Sequence, residues 1–400
     1  MSITHASIVP LIGGMTIAQQ LEFDDTPPDY LLSFSPFKNN DSHLVNYYKN
    51  EVPYIVLDEG GKHPHRVDVV SSTCPCAGLS SLSQSAASDS PMNEWMFKSS
   101  EYILEKVQPR VLFAENAPRL ASKLGEPVVE KLRQIGHKNG YTFSIFRTAS
   151  RLHGLSQVRE RTFYFFWKEN GRVPLLEYTN KHAEPESIET TIDLAKLACN
   201  VDPMSQILAN EKTPSQDPYY RYLLEVVQGG VSHRDYAVSL TRTANVLRAI
   251  EASGHDYMRV SEWMTQNGFA KHAERCKSMH LKLGMGGNVM RKQIEVPCGV
   301  IGAFVGHMPT MLTHHREDRF LTVREVLSIM KMPLDFQLLN PLKNLNHCCQ
   351  NVPVTTARHP ARMVRKYLEG KLDFENSDFI IQDNHRDRVQ TGDSPLESFM

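Results

Sequence analysis

VDVVSSTCPCAGLS, residues 67–80, and RVLFAENAP, residues 110–118, decide the fold. Each opens as a short apolar run and closes on small or turn-forming residues, the pattern of a strand buried on both faces. SIVPLI (7–12) and YIVLD (54–58) repeat that pattern upstream. YILEKV (102–107) and VVEKLRQIGHKNG (128–140) read as helices, the second ending in an Asn-Gly stop. Strands separated by helical stretches of this length predict an α/β fold from Ala6 to about Trp167, with a parallel, doubly wound sheet. Ligands in such folds bind beyond the carboxyl ends of the strands.

The chain has 400 residues, room for two to three domains of about 150 residues or one large domain with an insertion. With 41 % hydrophobic and 22 % charged residues it is ordinary globular material, which excludes wholesale disorder, collagen and coiled coil. Lys and Arg number 44 against 45 Asp and Glu, so the net charge of -1 supplies no global attraction to nucleic acid or an anionic membrane. Any such partner must be held by a local basic patch. The start, MSITHASIVPLIGG, lacks a basic region ahead of its apolar run, and no apolar stretch is long enough to span a bilayer, so the expectation is a cytoplasmic protein with no membrane partner. Seven cysteines, an odd number thinly spread, speak against a disulfide framework and for chemistry or burial.

After Trp167 the polar stretch KENGRVPLLEYTNKHAEPESIETT (168–191) reads as a domain exit. From about Ile192 to Lys282 the pattern is mainly helical, as in RDYAVSLTRTANVLRAIEASG (234–254), and RVSEWMTQNGFAKHAERC (259–276) has helix-turn-helix flavour around Asn267 and Gly268. An α/β texture returns near Val300 and ends near Gly370. The expected division is 1–167 and 306–368 for one discontinuous domain, 168–305 for an insert, and 369–400 for a flexible tail, since the last thirty residues carry seven acidic and three basic side chains. No internal repeat is visible.

Cys76 falls just past a predicted strand end, where a sheet presents a nucleophile; the bland alternative is a small buried thiol on a tight turn. A metal site from Cys74, Cys76, His347, Cys348 and Cys349 fits zinc spacing poorly. Glu115 and Asn116 end another strand on the same edge, where the alternative for Glu115 is a helix-capping carboxylate. In HGLSQVRERTFYFFW (153–167), Gln157, Arg159 and Arg161 alternate and so share one face, unless they merely solvate an edge strand. KHAERCKSMHLKLGMGGNVMRKQ (271–293) sets Lys271, Arg275, Lys277, Lys282, Arg291 and Lys292 against Glu274, suited to phosphate contact or to a solvated helix face.

In this order, Pro-Cys, Glu-Asn and Gln-x-Arg-x-Arg resemble the DNA (cytosine-5) methyltransferases. DRFLTVREVLSIMKMP (318–333) resembles that family's Arg-x-Leu-Thr-x-Arg-Glu segment, CCQNVPV (348–354) its closing Gly-Asn-x-Val-Pro segment, and DSPMNEWMF (89–97) its fifth conserved block. The likeness covers roughly residues 6–167 and 306–366. It implies a Rossmann-like S-adenosylmethionine-dependent methyltransferase domain with a mainly helical target-recognition insert, acting as a monomer on double-stranded DNA without a metal. It also implies that the Cys76 thiolate adds to cytosine C6, because C5 is a weak nucleophile until an enamine forms. Glu115 would hold a proton near N3, and Arg161 and Arg159 would bind O2 with Gln157 in the same set. The base must be flipped from the duplex, and Gly78, Ser80, Ser81 and Ser83 suit a mobile loop closing over it.

For the cofactor, the resemblance assigns Ile12, Gly13 and Gly14 of the first block, with Leu11, Val9 and Ser7 standing where the family has Gly, Phe and Asp. Asn39 aligns with the ribose-binding Glu, Asp41 with the acidic residue two places on, and Asp58 with the Asp near the adenine amine. Pro75, Met96 (where Leu is usual), Asn351 and Val352 complete the set. Two other readings stand beside this one. One is the same chemistry on RNA, although the Cys-Phe-Thr signature of the tRNA-modifying branch is absent; the other is a catalytically idle DNA-binding homologue. A restriction-modification partner, a phage self-protection enzyme and an orphan regulator are equally compatible settings.

Overall fold

The alternating apolar runs assemble into one nine-stranded sheet. A computed structural model describes residues 2–75, 78–79, 87–179, 185–197, 202–306 and 308–391. β1 (His5–Ile8), β2 (Tyr30–Ser33), β3 (Tyr54–Val56), β4 (Val69–Ser72) and β5 (Val111–Asn116) are parallel to one another. Helices α1 (Gly14–Glu22), α2 (Lys38–Tyr47) and α3 (Glu94–Tyr102) lie in the connections between them, and α4 (Glu126–Lys138) follows β5. β6 (Thr142–Ala149) and β7 (Glu160–Trp167) come next, then, from the far end of the chain, β8 (Phe379–Asp383) and β9 (Arg388–Thr391). The spatial order is β9-β8-β6-β7-β5-β4-β1-β2-β3.

Two sequence expectations are corrected by the sheet. It is mixed, because β7 runs antiparallel to both β5 and β6. The connection from β6 to β7 is too short for the crossover of a dozen or more residues that a parallel return needs. Likewise, the expected acidic tail is structured through residue 391: β8 pairs parallel with β6, from Phe379 opposite Phe143 to Asp383 opposite Arg147. Phe379, Ile380 and Ile381 are buried, and those three apolar side chains outweigh the surrounding acidic composition.

The chain divides into two compact units. The first comprises Met1–Pro185, Met330–Leu339 and His347–Met400; the second Glu186–Ile329 and Asn340–Asn346. The break therefore falls at Pro185 rather than at Trp167, since β-paired Val173 and Pro174 still belong to the first unit through Phe374 and Glu375. The core of the first unit joins Ile8, Leu32, Val70, Leu112, Tyr164 and Phe166 to Leu132 of α4. α8 (Val354–Leu368) presents buried Ala357, Ala361 and Val364 along one face.

The second unit contains α5 (Ile188–Leu197), α6 (Tyr257–Gln266) and α7 (Ala270–Gly284), as the helical periodicity predicts. Val260 and Met264 of α6 and Ala273 and Cys276 of α7 meet in its core with Tyr219 and Tyr220. Residues 306–329, expected in the return segment of the first domain, lie in this unit. Here the Arg-x-Leu-Thr-x-Arg-Glu segment is architectural. Arg319 grips both Glu325 oxygens at 2.9 and 2.8 Å, and Arg324, 1 % exposed, is paired with Asp202 at 2.6 Å. No helix among the described residues is long and apolar enough to cross a membrane.

Candidate active site

β4 and β5 are parallel neighbours with Ser72 opposite Ala114, so the residues after Ser72 and those ending β5 emerge on one edge of the sheet. Thr73, Cys74 and Pro75 leave β4 on that edge, with the Thr73 amide donating to the Val9 carbonyl beyond β1 at 3.3 Å. Cys76, Ser80, Ser81 and Ser83 lie outside the described residues. Cys74 is described and is a poor nucleophile. It is 1 % exposed, its Sγ lies 3.2 Å from Ser72 Oγ and 3.4 Å from both the Trp95 carbonyl and Ser99 Oγ, and burial pushes its thiol up. Cys74 is thus a structural thiol. The base of the next segment is closed by the Ala87 amide donating to the Gly78 carbonyl at 3.0 Å. Gly78 is packed so closely that a Cβ there would meet Asn93 Oδ1 at 2.3 Å.

Glu115 is 3 % exposed. The antiparallel pairing of β5 with β7 sets Glu115 opposite Phe163, two residues from Arg161. Arg161 Nε lies 3.1 Å from Glu115 Oε2, an ion pair, yet neither atom has an aligned hydrogen-bond partner. Burial raises the Glu115 pKa above the ordinary carboxylate range, while the guanidinium groups of Arg161 and Arg159 oppose that rise. Arg159 is fully buried and its Nη2 donates to the Cys349 carbonyl at 2.6 Å. Gln157 is also fully buried, with Oε1 lacking a hydrogen-bond partner. A buried carboxyl group whose pKa is raised, beside two rigid cationic donors, can protonate or polarise a flat heterocycle.

The sequence profile of C-5 cytosine-specific DNA methylases matches residues 38–366. The chain belongs to that family. Its members transfer a methyl group from S-adenosylmethionine to C5 of cytosine. Three solved structures share the fold. A DNA modification methyltransferase encoded within an E. coli prophage superposes with a TM-score of 0.57 at 12 % identity, covering 92 % of this chain and 100 % of that one. A mutant of Spodoptera frugiperda DNMT2 gives 0.51 at 13 % identity, covering 91 % and 100 %. The Entamoeba histolytica methyltransferase EhMeth gives 0.51 at 14 %, covering 92 % and 99 %. No curated protein matches the sequence.

The first-block loop takes left-handed backbone at residues other than glycine. Leu11, standing for Gly, has φ 53°, and Val9 has φ 50°, a left-handed conformation that costs a β-branched or bulky residue about 1 kcal/mol or more. Asp41 holds them there. It is fully buried, and one oxygen accepts the Leu11 amide at 2.9 Å while the other takes the hydroxyls of Ser33 and of Tyr54, the latter at 2.8 Å. Both oxygens of Asp41 are engaged within the chain, so it braces the loop instead of reaching a ligand. Gly14 donates to Asn351 Oδ1 at 2.9 Å, and a Cβ on it would meet the Val352 carbonyl at 2.0 Å, which joins the first and closing blocks. Ile12 and Gly13 are buried beside them.

Further along the same edge the loops beyond β2 and β3 meet. Asp58, just past β3, accepts the Ser35 amide at 2.8 Å and its hydroxyl at 2.6 Å, tying the loops beyond β2 and β3 together. Trp95 packs on Phe34 and Phe37 with ring centroids 5.1 Å apart in each case. Asn39 is exposed in the first turn of α2. Met96 is buried, and its sulfur accepts from Asn116 Nδ2 at 3.0 Å. Sequence reasoning missed Ser35 and the Phe34–Trp95 wall; the Phe-x-x-Phe spacing right after an apolar strand was the available signal.

In the second unit, Lys271, Arg275, Lys277 and Lys282 are exposed on α7, and Lys292 beyond it. Arg291 is not available for phosphate, since its Nε is bound to both Glu251 oxygens at 2.8 Å. Among the described residues Asp193, His314 and His315 have ligand atoms within 4.8 Å of one another. His314 Nδ1 accepts the amides of Arg316 and Glu317 at 3.1 Å, so the neutral ring carries its proton on Nε2, and Arg316 lies 3.5 Å from Asp193. That set suits ion pairing better than a cation.

Proposed function

We propose that the chain methylates C5 of a flipped-out cytosine in double-stranded DNA through a covalent Cys76–C6 intermediate. The observation that carries this reading is the buried Glu115–Arg161 pair at 3.1 Å, on the sheet edge where Thr73, Cys74 and Pro75 leave β4. Cys76 supplies the thiolate. Glu115, whose pKa burial raises, donates toward N3 and draws off the charge that grows as sulfur adds to C6. Arg161 and Arg159 hold O2, with Gln157, whose buried Oε1 lacks a hydrogen-bond partner, in the same set. S-adenosylmethionine supplies an electrophilic methyl group when bound, and Phe34, Ser35, Phe37, Asp58 and Trp95 with the Gly13–Gly14 turn are the residues suited to hold it.

The test is a duplex library carrying 5-fluorocytosine, incubated with protein and methyl donor. Wild type forms an adduct that survives denaturation, because β-elimination needs a proton at C5, and Cys76→Ser forms none. Bisulfite sequencing of DNA from expressing cells then gives the target. An adduct on RNA alone moves the substrate class, and no adduct on either nucleic acid sinks the nucleophile assignment.

A further inference from the structure

α7 ends in a closed, fully bonded turn. The Gly287 amide donates to the Lys282 carbonyl at 2.9 Å and the Gly286 amide to the Leu283 carbonyl at 2.9 Å, with Gly286 at φ 75° as the left-handed residue this closure requires. The Met285 amide donates to the Leu281 carbonyl at 3.1 Å. Beyond the tip the chain re-enters the core at Val289, and Arg291 staples the return. Its Nε holds Glu251, while Nη1 donates to Asn288 Oδ1 at 3.3 Å and to the Val289 carbonyl at 3.1 Å.

On this fixed backbone Met285 is 80 % exposed, and Leu281 and Met290 are 64 % exposed each. A single exposed apolar side chain is ordinary. Here Met285, with Leu281 one turn before it, stands at the end of a cationic row. Lys271, Arg275, Ser278, Lys282 and Met285 fall on one stripe of the helix by their spacing, opposite Ala273, Cys276 and Met279, which face the core. Glu274, the acidic residue of α7, is paired with Lys277 at 2.7 Å, so the stripe itself is positive. A row of phosphate-binding cations leading to an apolar point is how DNA-bending proteins press a wedge between base steps. Because the turn is already ordered, little conformational entropy is given up when it is pressed home.

We propose that Met285 is an apolar wedge that enters the base stack of double-stranded DNA while Lys271, Arg275 and Lys282 hold the phosphates beside it. The inference rests on the reading that the chain acts on duplex DNA, and the test separates the two. Full-length protein without methyl donor is bound to a closed circular plasmid, which a type I topoisomerase then relaxes. Wedge insertion unwinds the duplex whatever its sequence, so wild type leaves the plasmid underwound once protein is removed. Met285→Ser binds with an unchanged salt slope but shifts linking number less than half as far per bound molecule, and Met285→Leu restores the shift. Replacing Lys271, Arg275 and Lys282 by Gln lowers the slope of log affinity against log salt by about 0.9 for each phosphate no longer neutralised. Met285 is exposed and the turn is held by backbone bonds, so these variants keep their fold. Equal unwinding by Met285→Ser, or wild-type binding with no change in linking number, overturns the wedge and leaves the DNA reading standing. Failure of wild type to bind plasmid at low salt, with binding to RNA in the same assay, overturns the DNA reading and the wedge together.

Discussion

Glu115 has Arg161 Nε at 3.1 Å and is almost fully buried, and burial raises its pKa against the opposing guanidinium groups. Glu115→Gln keeps the shape and an acceptor but has no proton to deliver. Methyl transfer should fall by roughly two orders of magnitude, the scale of a positioned general acid, with DNA affinity changed far less. Single-turnover methylation measured beside a binding titration checks this, and a rate within about threefold of wild type removes Glu115 from the mechanism. Residue identity was legible here because charge and alternation point Glu115, Gln157, Arg159 and Arg161 out as exceptions to buried apolar runs. Cys74 and Cys76 could not be told apart by composition, and burial of Cys74 against Ser72 and Ser99 is a tertiary fact.

At the scale of elements, the loop from Val9 to Gly14 depends on α2, since Asp41 binds the Leu11 amide at 2.9 Å. Burial raises the Asp41 pKa to about 7 despite the donors from Ser33, Tyr54 and Leu11. Asp41→Ala leaves the buried Leu11 amide without that acceptor and should cost about 1–3 kcal/mol of stability. It should also weaken S-adenosylmethionine binding, because the turn is no longer held. Urea unfolding and calorimetric titration with the cofactor measure both quantities, and a stability within about 0.5 kcal/mol of wild type would show that the brace is dispensable. In sequence Asp41 looks like one more ligand of the cofactor, and only the packing of α2 against the loop turns its carboxylate inward.

For the whole molecule, acid sensitivity arises from histidines kept neutral. Burial lowers His43 to about 4, His153 to about 3 and His359 to about 4, and it lowers His5 as well. His43 accepts the Leu339 amide on Nδ1 at 3.0 Å and faces His347 Nδ1 with Nε2 at 2.9 Å. The unfolded chain takes up these protons near pH 6.5 and the native chain only near pH 4, so between those values the unfolded state binds more protons. Stability is therefore full above about pH 6.5 and is lost as pH falls toward about 4. His43 alone contributes roughly 3 kcal/mol to that loss. Urea midpoints at about pH 7 and about pH 5 should separate for wild type and lie closer together for His43→Gln, the share of His153, His359 and His5 remaining. Equal separations in the two proteins would show that His43 titrates normally.

Apolar periodicity and the order of short polar motifs determined the α/β class and the family resemblance, because those signals are local or ordered along the chain. Tertiary structure decided the facts of distant pairing. The Ile380–Ile381 strand joins β6 from a segment whose composition is acidic. β7 turns the sheet mixed. Arg291 goes to Glu251, and Asp41 goes to Leu11. In each case a side chain's partner lies far off in sequence, and burial, which no local pattern records, chooses between a charge that waits for a ligand and one that holds the fold.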